Sequence, residues 1–565
     1  MKVAEYIVEK LIQYEIRDIF GIPGGVILQF LYAAKSRIPE ITPHLSYHEQ
    51  MAGFAACGYA QAGKKAGAAY ASRGPGIINM ITSIAEAYQE SLPVLFITAH
   101  GNREKAGMRF QYNQEIDLLN IVMDITKYAA NIDCLADVRS SLDKALDKML
   151  HGRRGPVLLD FSTDLFELEI NNDKLVSLKR EESLQNNFIY EKAAHDLKKY
   201  LSKAKRPVVL IGDGIRQSKN IYYVKNGLEK LKVPIISSRA AQDILSSSVQ
   251  YYGYIGSHGC RYSNFILAKA DLIISVGNRL AFPLKSSSFS MIFDKAKLLR
   301  YEMDTEEFQR NIPGSETYQM DVDQFMKSLY ETGLAFEDNY AWLDICRRLK
   351  EGLNECDVTE PVKKFANILQ NVEEKYIYVC DVGNNEFWFS RAFEWIRPQG
   401  SVLYSKSFGT LGVALGRAIG AYYATGSKVI CIIGDQGLQY NIQELQYIAH
   451  WKLPIKVVLL NNYCSGMILD REKRLFGDRL VQVSLSSGYS TPDFCAIANA
   501  YGIGYLCDRE QEEMVKTFFR NEEPLLYEIK VTSEINLTPD LPKGSPCQNM
   551  LPFLEKTTYD FFNKL

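Results

Sequence analysis

Two strand-end dipeptides carry the plainest chemistry in this chain. The apolar run SKVICIIGD ends at Gly434-Asp435, and the run LPIKVVLLNN ends at Asn461-Asn462, with Asp435 and Asn462 27 residues apart. An aspartate carboxylate and an asparagine carbonyl are hard oxygen donors. They suit Mg²⁺, which takes a few protein oxygens and leaves a substrate phosphate to complete its octahedron. Either dipeptide alone is an ordinary strand-end turn, where Asp, Asn and Gly are common. The pair says more, because one helical stretch separates the two runs. Two parallel strands joined by a single helix deliver both loops to the same sheet edge.

The elements needed to hold such loops recur along the chain. Apolar runs alternate with amphipathic stretches, the pattern of α/β units with parallel sheets. The first set includes AGAAYAS (66–72) and LPVLFIT (92–98), with a helical stretch between them. A second begins at RPVVLIGDG (206–214), and a third runs from YIYVCDVG through SKVICIIGD and LPIKVVLLNN to PLLYEIKV. Residues 163–187 and 333–361 are charge-rich and read as connections. The expected fold class is therefore α/β, with three doubly wound parallel-sheet domains at 1–170, 188–335 and 360–540. A Pro- and turn-rich tail at 541–565 is expected to wrap over another surface. Such sheets place ligands beyond the carboxyl ends of their strands.

The 565 residues are enough for about three or four domains. They carry 47% hydrophobic and 23% charged residues and a formal net charge of −2. That balance removes the electrostatic case for nucleic acid or an anionic membrane as main partner. No 18-residue apolar window appears, and the first residues mix charged and apolar types at helical spacing, unlike a secretory signal. The 11 cysteines are scattered without a CxxC pair and read as reduced, mostly buried thiols of a cytoplasmic protein.

The 434–462 segment resembles the signature of the thiamine diphosphate enzymes: Gly-Asp-Gly, somewhat under thirty residues, then Asn-Asn. The resemblance implies that Asp435, Asn462 and the backbone carbonyl of Cys464 bind Mg²⁺. The triplet departs at its third place, where Gln436 stands and Gly437 is displaced by one. Further segments follow in family order. YHEQMAGFAACGYA (47–60) resembles the stretch bearing the catalytic glutamate of the acetolactate synthase and pyruvate decarboxylase group, with Glu49 the matching residue. A carboxylate there assists deprotonation of the thiazolium carbon, and the ring then serves as electron sink. By itself Glu49 reads as a surface carboxylate starting a helix of small residues. SRGPGIIN resembles the loop on the pyrimidine side. NQEIDLLNIVMDITKY supplies Gln114 as a catalytic match and Lys127 as a second residue near the site, with Asn113 replacing the family's phenylalanine. SKSFGTLGVALGRAIG places Leu411 as the apolar wedge between the cofactor's two rings. DVGNNEFW agrees at Gly383 only, with Asn384, Asn385 and Glu386 as departures. The cofactor contacts so implied are Gly24, Pro75, Asn79, Gly383, Gly409, Leu411, Gly434, Asp435, Gln436, Asn462, Cys464, Gly466 and Met467. The resemblance spans the chain as pyrimidine-binding, central and diphosphate-binding domains. It implies a homodimer or homotetramer in which Glu49 faces a neighbour's diphosphate site.

In the middle set, the resemblance to acetolactate synthases implies FAD held by Gly212, Asp213, Gly214, Gly256, Ser257, His258, Gly277, Asn278, Arg279 and Glu302. As a dinucleotide fingerprint GDGIRQ is poor, lacking the third glycine; ADP or an empty scaffold site are the alternatives. Two departures concern the substrate. Where the synthases carry an arginine for the second 2-oxo acid stands Pro283, which cannot make a bidentate carboxylate contact. Their tryptophan is replaced by Arg471. The expectation is a carboligase that decarboxylates a 2-oxo acid such as pyruvate and passes the acyl unit to another carbonyl acceptor. A nucleotide-linked keto-deoxysugar fits, as for the yersiniose-type enzymes. Acetolactate synthase proper and a non-ligating decarboxylase are the alternatives. Glu49, Asp435 and Asn462 are all present, which speaks against a non-catalytic scaffold. No complete GxGxxG is present, which speaks against a nicotinamide dehydrogenase.

Overall fold

The computed structural model describes residues 1–565 apart from 102–104, 107–108, 172–186, 282–286, 310–311, 313, 334–335, 337–339 and 509–511. Three six-stranded sheets carry it. The first contains β1 (Asp18–Gly21), β2 (Thr42–Leu45), β3 (Gly67–Tyr70), β4 (Val94–His100), β5 (Tyr128–Ile132) and β6 (Val157–Ser162), ordered 2-1-3-4-6-5. The second contains β7 (Pro207–Ile211), β8 (Ile235–Ser238), β9 (Tyr251–Ile255), β10 (Leu272–Val276), β11 (Lys297–Glu302) and β12 (Ser315–Gln319). Its order, β9-β8-β7-β10-β11-β12, is the 3-2-1-4-5-6 arrangement of dinucleotide-binding sheets. The third contains β13 (Tyr376–Cys380), β14 (Gly400–Tyr404), β15 (Val429–Gly434), β16 (Ile455–Asn461), β17 (Gly504–Cys507) and β18 (Leu525–Lys530). Its order, β14-β13-β15-β16-β18-β17, repeats that of the first sheet. The first two sheets are parallel throughout, as are β13, β15, β16, β18 and β17 of the third.

The chain forms two compact units. One comprises 1–181, 374–386 and 403–533, and the other 182–373, 387–402 and 534–565. In the first unit the helix Glu49–Gly63 is buried on all sides from Met51 to Gln61, which its run of Ala and Gly allows. It packs on the helix Ala414–Thr425 through bare backbone. A Cβ on Gly420 would lie 1.8 Å from the Ala55 carbonyl oxygen, and one on Gly58 2.2 Å from that of Arg417. Beside this crossing Arg417 and Glu86 form a fully buried ion pair.

In the second unit, the stretch read from sequence as a connection at 333–361 instead contains a helix, Tyr340–Leu353. It buries Trp342, Cys346, Leu349 and Leu353. Its charges lie on the opposite face, so composition alone disguised it. The tail packs on the central sheet's helix, where Arg261 donates to the Met550 and Pro552 carbonyls, and it ends in the helix Lys556–Lys564. All 11 cysteines are free thiols. No helix among the described residues is long and apolar enough to cross a membrane.

Candidate active site

Strands β15 and β16 are neighbours, with Gly434 opposite Leu460, so Asp435 and Asn462 emerge side by side at the carboxyl edge. The two asparagines of the dipeptide divide the work. Asn461 is engaged inside the sheet, donating to Glu528 at 2.6 Å and accepting the Tyr463 N–H at 3.2 Å. Asn462 is left to face the loop. Asp435 opens the helix Asp435–Tyr440, and its Oδ1 accepts the Gln436 N–H at 2.8 Å. Oδ2 is buried and has no partner among the described residues. Burial, only partly offset by that N–H bond, the Tyr489 hydroxyl and the Tyr463 N–H, pushes the carboxyl up to about 7. Ionised, a carboxylate oxygen held this way would take a cation as its complement. Burial, together with Asp435 and Asp470, also pushes the Cys464 thiol up to about 12, so its side chain stays a neutral thiol.

Gly466 shows how tightly this corner is drawn. A Cβ there would lie 2.5 Å from Asn384 Nδ2 and 2.6 Å from Asn462 Nδ2. Asn384 therefore belongs to the site, although it appeared only as a departure from the family pattern. Its Oδ1 is buried and has no partner among the described residues. Asn385 packs beneath, donating to the Asp381 carbonyl at 3.1 Å. Gln436 causes no strain, since the position is helical and requires no left-handed backbone. Leu411 is half-buried on a loop between Gly409 and Gly412, both of positive φ. A Cβ on Gly409 would meet nothing within 4 Å. Two orphaned amide and carboxylate oxygens, an open loop and a bare Gly466 together fit a metal-bound diphosphate.

A second cluster forms at the carboxyl edge of the first sheet. Glu49 begins its helix after the N-cap His48, whose ring accepts the Gln50 N–H at 3.2 Å. Asn79 donates to Glu49 Oε2 at 2.9 Å, and a Cβ on Gly76 would lie 3.4 Å from Oε1. Asn79 and the loop through Pro75 thus orient the carboxylate. Gly24 approaches Ser72 of the same loop. Gln114 is exposed with φ of 62° and lies against Gly74, where a Cβ would sit 2.4 Å from its carbonyl.

Lys127 is a correction. It precedes β5 and so lies at the amino edge of a parallel sheet, opposite to Glu49, where its Nζ donates to the His151 carbonyl at 2.7 Å. Nearness to Gln114 in sequence did not reveal that the chain crosses the sheet between them.

Two buried residues that the sequence reading did not single out join these clusters. Glu444 accepts the Tyr47 N–H at 2.8 Å, two residues before Glu49. Burial, opposed by the N–H groups of Tyr47 and His48, pushes it up to about 7. Asn441 donates to Gln50 Oε1 and to the Gly412 carbonyl, both at 3.2 Å. The start of the Glu49 helix is therefore tied to the chain that follows Asp435.

In the central domain the segments named for a flavin do meet at the carboxyl edge of β7 and β10, but they close on one another. A Cβ on Gly212 would lie 2.2 Å from the Gly277 carbonyl oxygen, and one on Gly214 2.8 Å from it. Asp213 pairs with Arg216 at 2.7 Å. Asn278 accepts the Leu280 N–H at 2.9 Å, and Glu302 that of Asp304 at 3.1 Å. His258 Nδ1 bonds the Pro539 carbonyl at 2.9 Å. Gly256 bonds Asn264 through both its N–H and its carbonyl, and Ser257 and Arg279 are half-buried beside these segments. These contacts draw the Gly212–Gly214 and Gly277–Arg279 segments together at one sheet edge, with Asp213 held by the Arg216 side chain. Pro283 lies outside the described residues. Arg471 is exposed on the helix Gly466–Phe476, which also exposes Met467, Ile468, Leu475 and Phe476.

Comparison with known proteins finds three family segments along the chain. Residues 1–121 match the N-terminal thiamine pyrophosphate-binding domain of the thiamine pyrophosphate enzymes, 194–329 their central domain and 381–529 their C-terminal thiamine pyrophosphate-binding domain. The chain belongs to the thiamine pyrophosphate enzymes. Along nearly its whole length it is similar to proteins named as acetolactate synthase large subunits. That of Cyanidium caldarium is 27% identical over 96% of both chains. A probable one of Methanocaldococcus jannaschii is 28% identical over 100% of this chain and 98% of its own. The isozyme 2 large subunit of Escherichia coli is 27% identical over 98% and 99%.

Proposed function

We propose that this enzyme decarboxylates a small 2-oxo acid such as pyruvate and joins the acyl unit to a carbonyl acceptor. The observation that carries the reading is the unpartnered Asp435 oxygen beside Asn462, in a chain that also holds Glu49 on a hydrogen bond from Asn79. Asp435, Asn462 and the Cys464 carbonyl would bind Mg²⁺ and through it the diphosphate of the cofactor. Bound there, thiamine diphosphate supplies a nucleophilic carbon and an electron sink for loss of CO₂. The protein's part is positional. Asn79 holds Glu49 so that its carboxylate can exchange a proton with the aminopyrimidine, Leu411 presents an apolar side chain from a short loop, and the buried strand ends exclude water. The electron pair left when CO₂ departs becomes the new carbon–carbon bond, and the acceptor oxygen takes up a proton. No net redox change occurs, so a flavin in the central domain would take no part in the electron flow. Flavin absorbance in the purified protein tests whether FAD is bound there.

The acceptor is proposed to differ from a plain 2-oxo acid, because Pro283 offers no donor and Arg471 replaces an aromatic wall. A nucleotide-linked keto-deoxysugar suits an arginine that can meet phosphate. The second reading is acetolactate synthesis itself, favoured by the names of the relatives above. One chain presents the Glu49 and Asp435 clusters on separate sheets, which suits completion of each site by a second copy. Purified protein with thiamine diphosphate, Mg²⁺ and pyruvate tests the proposal. Slow pyruvate loss that accelerates with a keto-sugar nucleotide supports it. Rapid acetolactate formation establishes the second reading, and no pyruvate consumption under either condition overturns the donor.

A further inference from the structure

One fully buried carboxylate touches three of the loops on the diphosphate side. Asp381 stands immediately beyond β13 with no solvent exposure. Its Oδ1 accepts the N–H of Gly412 at 2.8 Å and of Val382 at 2.9 Å, and its Oδ2 accepts that of Ala414 at 3.0 Å. A Cβ on Gly437 would lie 2.9 Å from Oδ1. Val382 leads into Gly383 and Asn384, Gly412 and Ala414 follow Leu411, and Gly437 belongs to the turn of Asp435. Three segments from three strand ends thus share one anionic hub.

Burial pushes Asp381 up to about 7 against the pull of these N–H bonds. Its surroundings explain both tendencies. The neighbouring Glu86 opposes its charge, while Arg417, whose guanidinium feels Asp381, is committed to Glu86 itself. Three backbone donors are what keep such a carboxylate ionised in place.

We infer that Asp381 is the positioning residue of the diphosphate side: it sets the Leu411 loop against the Asp435 turn while touching no reacting atom. This rests on reading Leu411 and Asp435 as cofactor contacts. A carboxylate is needed because all three partners are donors. An amide of the same shape must turn one NH₂ toward an N–H, losing either the Gly412 and Val382 bonds or the Ala414 bond.

Asp381→Asn tests it in the full chain. Calorimetric titration with thiamine diphosphate at saturating Mg²⁺ should show a Kd raised by roughly tenfold or more, the worth of one lost hydrogen bond to a charged group. Without any cofactor, amide hydrogen exchange across 405–416 should quicken while that of β16 does not change. An unchanged Kd together with unchanged exchange overturns the inference. Should the variant fail to fold, the unaltered protein still decides, because its Gly412 and Ala414 amides must be protected, and free exchange there overturns the inference too. Asp435→Ala separates the two readings. If it abolishes cofactor binding while Asp381→Asn leaves it intact, only the positioning role falls. If it binds cofactor normally, the site itself falls.

Discussion

The first and third sheets share one strand order, 2-1-3-4-6-5, yet their loops are furnished differently. Beyond β1 and β3 the first sheet offers Gly24, Ser72 and Pro75, small residues that let backbone approach backbone, and its single carboxylate for chemistry comes from the edge strand β2. Beyond β13, β15 and β16 the third sheet sets Asp381, Asp435 and Asn462 on three adjacent strand ends, all buried. One scaffold has thus become a holder for a proton-transfer group and the other a holder for charge. The glutamate sits half-exposed at a helix start, where a proton can come and go. Of the third sheet's buried acids, Asp381 is met by backbone N–H groups, while for Asp435 a cation would be the natural complement.

The largest test of this contrast is Asp435→Ala. It should remove Mg²⁺-dependent cofactor binding, weakening it by at least about a hundredfold, beyond the usual cost of altering a residue that merely supports a metal ligand. Binding that survives, read by calorimetry, would break the assignment of charge to the third sheet. Glu49→Gln should show the opposite profile. Cofactor affinity stays near that of the unaltered enzyme, while turnover falls by at least about 10²-fold. Equal losses in both quantities would erase the distinction between the sheets.

Glu444, which links the two regions, gives a subtler effect. Its carboxyl is pushed from an ordinary 4.5 up to about 7. A carboxyl whose folded value lies above its unfolded one holds its proton more tightly when folded. Its stabilising contribution is therefore complete below about 4.5, is lost as pH rises toward about 7, and is constant above. Glutamine cannot titrate. The thermal midpoint of Glu444→Gln minus that of the unaltered protein should therefore climb across this window, and a difference that ignores pH would break the link. Smallest of all, Lys127→Ala should leave kcat within about twofold, since the residue occupies the opposite sheet edge. A tenfold loss would show that the site extends across the sheet.

The residues that could be read from sequence share a property: each ends a strand whose apolar run announces it. Asp435 and Asn462 are of this kind, and the helix between their strands fixed the edge they share. Glu49 and Leu411 were placed by resemblance, since Glu starting a helix of alanines has no chemical signature of its own. Asp381 ends a strand equally well, but its meaning depends on Gly412, Ala414 and Gly437 arriving from elsewhere. Asn384 and Glu444 were hidden for the same reason, being polar residues whose partners lie far along the chain. The central-domain set differs again, since its glycines were placed by resemblance and the structure shows only that their segments lie close together. The helix Tyr340–Leu353 was missed because charge content was weighed without its periodicity.

The helix crossing at Gly58 and Gly420 has a consequence for how such an enzyme can be altered by selection or design. Two helices that meet backbone to backbone have no side chains to trim or enlarge, so the spacing of the first and third sheets cannot drift in small steps. Mutational variation that survives must then accumulate elsewhere, and the exposed apolar positions Ile468, Leu475 and Phe476 of the helix Gly466–Phe476 are where a library aimed at new acceptors should be drawn.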